Sequence, residues 1–589
     1  MPGVLAFNDN LGETIPPDTP HAVSVSLPTW RANVGYEEGE EWVVGKMQCG
    51  YPRFFIHKSI QRLAEIIVAR YGHTDEKAML FPTHSIATRC IDFFLSRDPS
   101  VPRDQLRLVE FVPNPQRTQP DGTQRVLPKL SAVLYPKEHW PIAKSYWQHT
   151  GDGVSSRRAE FCEKALLEGS LVEKNSIAEV PRMKKGPRRY QRQVSIDESN
   201  GSTDGQDFSS FVEERFGRNM SVAFARNAKL AVRRRITGSL SSDADLHEAL
   251  EHPEDWEKTR SVDDFSVDDV YLYPTGMSAI FNMHRTMRLA RGEMKSIMYG
   301  FPYVDTLKIL EKWGPGCQFY GHGSTEDLDD LERRLESGER YLALFCEFPG
   351  NPLLKSPDLP RIRALADKYD FGVVVDETIG NFLNVHVLPY ADVVVSSLTK
   401  IFSGDCNVMG GSAILNPKGH YYHALRKVLN TEYEDNLFEE DAVFVERNSR
   451  DFVSRIARIN VNAEAICDIL LAHPKGKHLI SLLSQNYPSR AHYDACRLPN
   501  GGYGGLLSCT FHQLSDAIAF YDHLDTAKGP SLGTNFTLSS PFVLLAHYGE
   551  LEWAAGYGCE ISLVRFSVGL EETERLKGIF RNALDAIPK

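Results

Sequence analysis

The ten cysteines of this 589-residue chain form no Cys-x-x-Cys pair and join no histidines at metal-ligand spacing. That excludes a zinc module and a dense disulfide framework, and scattered thiols fit a reducing compartment. No apolar run approaches the roughly 20 residues a membrane span requires. Met1 to Pro20 mixes Asp, Glu and Pro and has no apolar signal core. The closing Ala586-Ile587-Pro588-Lys589 is not a peroxisomal tripeptide. Positive charge is outnumbered, with 66 Lys and Arg against 78 Asp and Glu, and the net charge of -12 argues against nucleic acid as the main partner. With 24% charged and 42% hydrophobic residues, the composition is that of a soluble globular protein, expected in the cytoplasm. The length is too great for one core, so several domains are expected.

Residues 1-178 mix helical and strand patterns and read as an N-terminal accessory region. Residues 179-208 read as a basic and polar linker, with Arg182, Lys184, Lys185, Arg188, Arg189 and Arg192 ahead of the tract Ser195 to Gln206. A nuclear-localisation signal is the alternative reading of that basic run. From 209 to 430 strand, turn and helix alternate. Strands are expected over Asp269–Tyr273 and Tyr341–Cys346, and in the runs ending at Asp376 and Lys400. Helices are expected over Ala279–Leu289, after a Ser324 cap with Leu328, Leu331 and Leu335 inward, and from Ser356-Pro357 with Ile362, Leu365 and Ala366 inward. Such alternation indicates an α/β fold with a mostly parallel sheet covered on both faces, which binds ligands at the carboxyl ends of its strands. Residues 431-589 read as a smaller α+β domain: a helix over Asn448–Leu471, a Gly-rich strand region over Gly501–Phe511 and a closing helix over Thr573–Ile587.

Two strands carry the chemistry. Val393-Val394-Val395-Ser396-Ser397-Leu398-Thr399-Lys400 reads as a buried strand that enters a hydroxyl-rich turn and stops on a lysine. Phe371-Gly372-Val373-Val374-Val375-Asp376 does the same and stops on an aspartate. As parallel neighbours they would bring an amine and a carboxylate to one sheet edge. Pyridoxal 5'-phosphate needs that pair: an amine to condense with its aldehyde and a carboxylate to keep its ring nitrogen protonated. Ser397 and Thr399 have the spacing to face a phosphate together. Pro274-Thr275-Gly276-Met277-Ser278, between a strand and a helix, offers free amides and a positive dipole end, and Gly276 permits close approach. Tyr303, in the loop Gly300 to Asp305, could stack on a pyridine ring. No metal-ligand set accompanies them.

In this order the segments resemble the Cys/Met-metabolism family of pyridoxal-phosphate enzymes, the trans-sulfuration enzymes. The resemblance is strong over roughly 270 to 589 and loose before it. Thr275-Gly276-Met277 matches the family's phosphate loop, Tyr303 its ring-stacking residue and Asp376 its pyridinium partner. Ser397-Leu398-Thr399-Lys400 matches its cofactor-lysine motif. Glu347-Phe348-Pro349-Gly350-Asn351-Pro352 matches the loop whose asparagine, Asn351, approaches the cofactor hydroxyl. Ser531-Leu532-Gly533 and Arg565-Phe566-Ser567-Val568-Gly569-Leu570 match the segments that hold the substrate α-carboxylate.

The resemblance implies a fold type I, aspartate-aminotransferase-like architecture, small-molecule amino-acid substrates, and a homodimer or homotetramer with shared active sites. The length, with its extended N-terminal part, is most similar to the fungal type of cystathionine γ-synthase. That implies an O-acylhomoserine joined to L-cysteine, giving L-cystathionine. A γ- or β-lyase, or a γ-replacement enzyme of secondary metabolism, would use the same residues. Three departures stand out: Val304-Asp305 where the family has Gly-Gly, Gly404-Asp405 where it has Gly-His, and Phe536 in place of a glutamate common among its lyases. The family also takes a Tyr-x-Arg pair from a neighbouring subunit to the cofactor phosphate. Tyr51-Pro52-Arg53 has that spacing, and Leu80–Ala87 echoes Leu272–Ala279; alternatively, Glu214–Asn219 resembles the region just after such a pair.

Overall fold

The computed structural model describes residues 10–116, 129–177, 222–238, 242–251, 262–473, 476–480 and 487–588. The basic and polar linker at 179-208 and the segment Glu214–Asn219 lie outside the described residues. Three sheets organise the rest.

The N-terminal unit runs α1 (Lys58–Tyr71), β1 (Glu76–Phe81), α2 (His84–Arg97), β2 (Arg107–Pro113), β3 (Leu130–Pro136), α3 (Trp140–Thr150) and β4 (Leu171–Glu173). Its four strands are antiparallel in the order β1-β3-β2-β4. β3 is buried at every position because helices cover both faces of the sheet. Leu63 and Ile67 of α1 pack on one face, while Phe94 of α2 and Tyr146 of α3 pack on the other.

The central unit comprises β5 (Val270–Tyr273), α4 (Gly276–Arg291), β6 (Ser296–Tyr299), α5 (Val304–Lys312), β7 (Cys317–Tyr320), α6 (Thr325–Glu336), β8 (Ala343–Glu347), α7 (Leu359–Tyr369), β9 (Gly372–Asp376), β10 (Val393–Ser397) and β11 (Gly411–Leu415). Its seven strands lie in the order β5-β11-β10-β9-β8-β6-β7. β10, β9, β8, β6 and β7 are parallel, and only β11 runs against its neighbours β10 and β5. The sequence reading did not single out β11. In β9 and β10 the valines are fully buried, which accounts for their unbroken apolar runs. Ser324 forms a capping box with Asp327 at the start of α6, and Leu328, Leu331 and Leu335 face inward. α7 starts later than Ser356. Asp358 caps it by accepting from the Arg361 amide at 3.1 Å, whereas Ser356 is buried and donates its amide to Ser489 Oγ at 2.9 Å.

The C-terminal unit has β12 (Gly476–Ile480), β13 (Leu506–Phe511), β14 (Ala527–Lys528), β15 (Leu538–Ser540) and β16 (Leu563–Ser567), ordered β12-β13-β16-β15-β14. The helix expected over Asn448–Leu471 spans Phe452–Ala472, and Asn448 ends a separate helix, Glu439–Asn448. At their junction the buried Arg455 guanidinium pairs with Asp451 at 2.7 Å and takes the carbonyls of Asn448 (3.0 Å), Ile401 (3.0 Å) and Phe402 (2.8 Å). The glycines from 501 to 505 precede β13 as a loop, and the closing helix spans Thr573–Asp585. A strap before α1 ties the units together, with Val23 N donating to Cys406 O and Leu27 N to Lys528 O, both at 2.9 Å. Among the described residues no helix is long and apolar enough to cross a membrane, and all ten cysteines are free.

Candidate active site

β9 and β10 are neighbours in register, with Val395 opposite Asp376, so both strands deliver their ends to one sheet edge. Lys400 follows β10 in a turn and is 8% exposed. Its Nζ donates to Tyr51 Oη at 3.0 Å and to Ser531 Oγ at 3.1 Å. Asp376 Oδ1 accepts from the Thr378 amide at 2.9 Å and hydroxyl at 2.6 Å. The same hydroxyl accepts from Ser397 N at 2.8 Å, so Thr378 ties the two strand ends together. Among the described residues no cation lies within ion-pair distance of Asp376. Burial pushes its carboxyl up, and the Thr378 donors only partly offset this. A buried carboxylate without a cation is suited to a protonated ring nitrogen.

Thr275 caps α4, accepting from Ser278 N at 3.0 Å and donating to Gly151 O at 3.2 Å. The first amides of α4 are thereby left at the cavity wall beside Gly276 and Met277. A Cβ on Gly276 would stand 2.7 Å from Ser397 Cβ, so the loop presses on the end of β10. Gly276→Ala should weaken cofactor binding by about 1–3 kcal/mol through overpacking, read by titrating cofactor-free protein. Ser397 lines the cavity. Thr399 lines the cavity as well, and its hydroxyl is engaged by the Gly410 backbone. It donates to Gly410 O at 3.3 Å and accepts from Gly410 N at 3.1 Å, which fixes the turn before Lys400.

Tyr303 stands immediately before α5 and lines the same cavity. Its amide donates to Glu347 Oε1, while Asn351 N donates to Oε2 at 2.9 Å, so one carboxyl holds both loops. Glu347 pairs with Asp376 across β8 and β9. Burial first, and Asp376 second, push Glu347 up to about 8. A raised carboxyl pKa stabilises the fold fully below the ordinary value of 4.5, and the stabilisation is lost as pH rises through about 8. Cofactor-free protein should therefore lose a few kcal/mol of urea stability from Glu347 across that window. Glu347→Gln should flatten that part of the profile.

Arg565, on β16, is 5% exposed. Nη1 donates to Asn351 Oδ1 at 3.0 Å and Nη2 to the Ser531 carbonyl, while the guanidinium lies 4.7 Å from the Phe542 ring centre. Burial lowers its pKa to about 10. Among the described residues no carboxylate pairs with it. An unpaired guanidinium at the wall of a cavity is a site for a carboxylate from outside.

Tyr51 and Arg53 reach this cavity from the same chain. Arg53 pairs with Asp305 Oδ2, and its guanidinium carbon lies 5.0 Å from the Tyr303 ring centre. Burial pushes the Tyr51 hydroxyl up, but Lys400, the Tyr303 hydrogen bond and Arg53 outweigh it and leave it lowered. Burial and the neighbouring Tyr51 hold the Tyr303 hydroxyl well above its usual range. The resemblance placed a Tyr-x-Arg pair on a neighbouring subunit; here Tyr51 and Arg53 line the cavity of the chain that carries Lys400. Sequence reasoning missed Thr378, the clamp at Glu347, and Trp147, Gln148 and His21 of the cavity wall. One signal for the Arg53 anchor was present: the departure at Val304-Asp305 puts an acid where the family has glycine.

The model of the Cys/Met metabolism PLP-dependent enzyme family matches residues 265–585. The chain belongs to that family. A second model, the N-terminal domain of fungal trans-sulfuration enzymes, matches residues 59–155. A cystathionine gamma-synthase of Neurospora crassa is 53% identical over 612 residues, covering 98% of each chain. A cystathionine gamma-synthase of Saccharomyces cerevisiae is 38% identical over 649 residues, again covering 98% of each. A cystathionine gamma-synthase-like enzyme of Amanita muscaria is 41% identical over 620 residues, covering 98% of this chain and 96% of its own. The central sheet and its strand-end cavity have the fold type I arrangement, and pyridoxal 5'-phosphate is the cofactor of this Cys/Met metabolism family. The residues present fit it: a buried amine, a carboxyl without a cation, and a glycine-lined helix start share one cavity.

Proposed function

We propose that the chain is a cystathionine γ-synthase, joining an O-acylhomoserine and L-cysteine to give L-cystathionine. The observation that carries this reading is the cavity itself, where Lys400 and Asp376 face one space and, among the described residues, Arg565 has no carboxylate partner. Likeness to synthases along nearly the whole chain supports it.

When bound, pyridoxal phosphate supplies an aldehyde that links to amines and a protonated ring that draws electrons from the substrate Cα. In this reading Lys400 would hold the cofactor and move protons at the substrate Cα and Cβ. Asp376 would keep the ring nitrogen protonated, and Tyr303 would face the ring. Thr275, Gly276, Met277 and Ser397 line the phosphate site, with Thr399 bracing the turn and Arg53 adding positive charge. Arg565 grips the substrate α-carboxylate, with Asn351 and Ser531 holding the guanidinium fork. The acyloxy group leaves Cγ, and the cysteine thiolate forms the new C–S bond there.

A γ- or β-lyase is the competing reading on this scaffold. Phe536, where family lyases carry a glutamate, packs against Ile15, Ala527 and Leu538. The test gives purified protein O-acetylhomoserine plus cysteine in one reaction and cystathionine alone in another, with product identification. Cystathionine from the first supports the synthase. Cleavage of cystathionine without condensation overturns it. A third reaction with other nucleophiles separates a γ-replacement enzyme of secondary metabolism. The ten free thiols are in keeping with a cytoplasmic enzyme.

A further inference from the structure

We propose that each chain holds one whole active site, its N-terminal unit serving as a built-in substitute for a second subunit. The proposal rests on Lys400, Tyr51 and Arg53 serving one pyridoxal phosphate site.

Three observations support it. First, Tyr51 and Arg53 reach the cavity from the chain that carries Lys400, and the contact is locked rather than incidental. Tyr51 Oη lies 3.0 Å from Lys400 Nζ. The Arg53 side chain is 9% exposed and its partner Asp305 only 2%. Asp305 is also held from the N-terminal unit by Gln148 Nε2 at 3.3 Å, with His149 Nε2 at 3.7 Å. Second, that unit closes the back of the phosphate loop. Gly151 has φ +63° and sits against Thr275, Met277 and Ser278 with no room for a Cβ. Asp152 accepts from Ser278 Oγ and from Asn282 Nδ2 of α4 (3.1 Å for the latter).

Third, the N-terminal unit repeats the start of the central one. β1, Pro82, a capping Thr83 and α2 correspond to β5, Pro274, a capping Thr275 and α4. The two caps share one backbone geometry: φ -141°, ψ 160° at Thr83 and φ -148°, ψ 161° at Thr275. The two helix starts meet across Asp152, which α2 reaches through Arg89 at 3.6 Å. The second start has lost its capacity for phosphate. His84 stands where α4 has Gly276, and the hydroxyls of Thr83 and Ser85 hold the chain's own Glu434 carboxylate at 2.8 and 2.5 Å. A degenerate copy packed beside the working one, and reaching into its cavity, does for the site what a partner would otherwise do.

The test is complementation. Lys400→Ala and the double variant Tyr51→Phe/Arg53→Ala are co-expressed with different tags, and mixed assemblies are isolated through both. Sites confined to one chain predict no more activity than the separate variants show. Sites shared between chains leave one intact site in each mixed pair, and activity approaching half that of wild type would overturn the proposal. If the double variant folds poorly by circular dichroism, Tyr51→Phe alone replaces it. In parallel, the mass of the wild-type protein in solution is followed by light scattering on dilution, with cofactor affinity measured by visible absorbance. A monomer that binds cofactor as tightly as any larger assembly supports the proposal, whereas affinity lost on dissociation overturns it. Wild-type protein inactive with O-acetylhomoserine and cysteine would instead reject the synthase reading, while the affinity measurement still decides this one.

Discussion

Replacing Lys400 with alanine is expected to lower turnover of O-acetylhomoserine and cysteine by more than about 10⁴-fold. General acid–base transfer alone contributes about 10²–10⁴-fold, and the covalent hold on the cofactor is lost with it. The side chain is buried, and among the described residues its Nζ has the hydroxyls of Tyr51 and Ser531 as hydrogen-bond partners, so alanine removes the amine without stranding a described counter-ion. The fold should survive, as a near-normal thermal melt would show. The visible absorbance of the lysine-linked cofactor should vanish. Turnover within tenfold of wild type would defeat the assignment.

Arg565→Ala ranks second. The guanidinium fork is buried and held by Asn351 and the Ser531 carbonyl, and only a ligand can complete its charge pairing. Truncating one partner of a desolvated, hydrogen-bonded charge pair costs about 2–5 kcal/mol, so kcat/KM should fall by roughly 30-fold to several-thousand-fold. Much of the loss should appear in KM for O-acylhomoserine, with cofactor absorbance retained. Arg565→Lys should recover little, because an ammonium cannot reproduce the two-pronged contact. The pH dependence follows from the lowered pKa: the group stays charged through neutrality, and substrate affinity should fall as pH passes about 10. An alanine variant with unchanged KM would remove Arg565 from the substrate site.

The central unit was largely legible because its signals are local. Unbroken valine runs marked β9 and β10, and the Ser324 and Asp327 pair marked the start of α6. The packing around the boundary before Phe452 was not legible, because Arg455 there bonds carbonyls 54 and 53 residues earlier in sequence. β11 escaped notice because five residues flanked by Gly410 and Pro417 carry no chemistry of their own. At the site, many residues that line the cavity could be named from motif order, but those that hold them in place could not. Thr378, Glu347 and Asp305 act through partners brought near only by strand pairing and by the docked N-terminal unit. Which chain would supply Tyr51 and Arg53 is a question of packing, on which spacing is silent.

The strap before α1 has a consequence for how the molecule is made. Ser24 Oγ donates to the Pro530 carbonyl across 506 residues of sequence, and Tyr521 Oη donates to Leu27 O across 494. On the ribosome the residues around Ser24 and Leu27 must wait for about 500 later residues before these bonds can close. Contacts of such separation form slowly. Tyr51, carried just behind the strap, can be fixed in place only after the segment around Pro530 has been made, so a nascent chain halted just after β11 has the whole central sheet and no finished site.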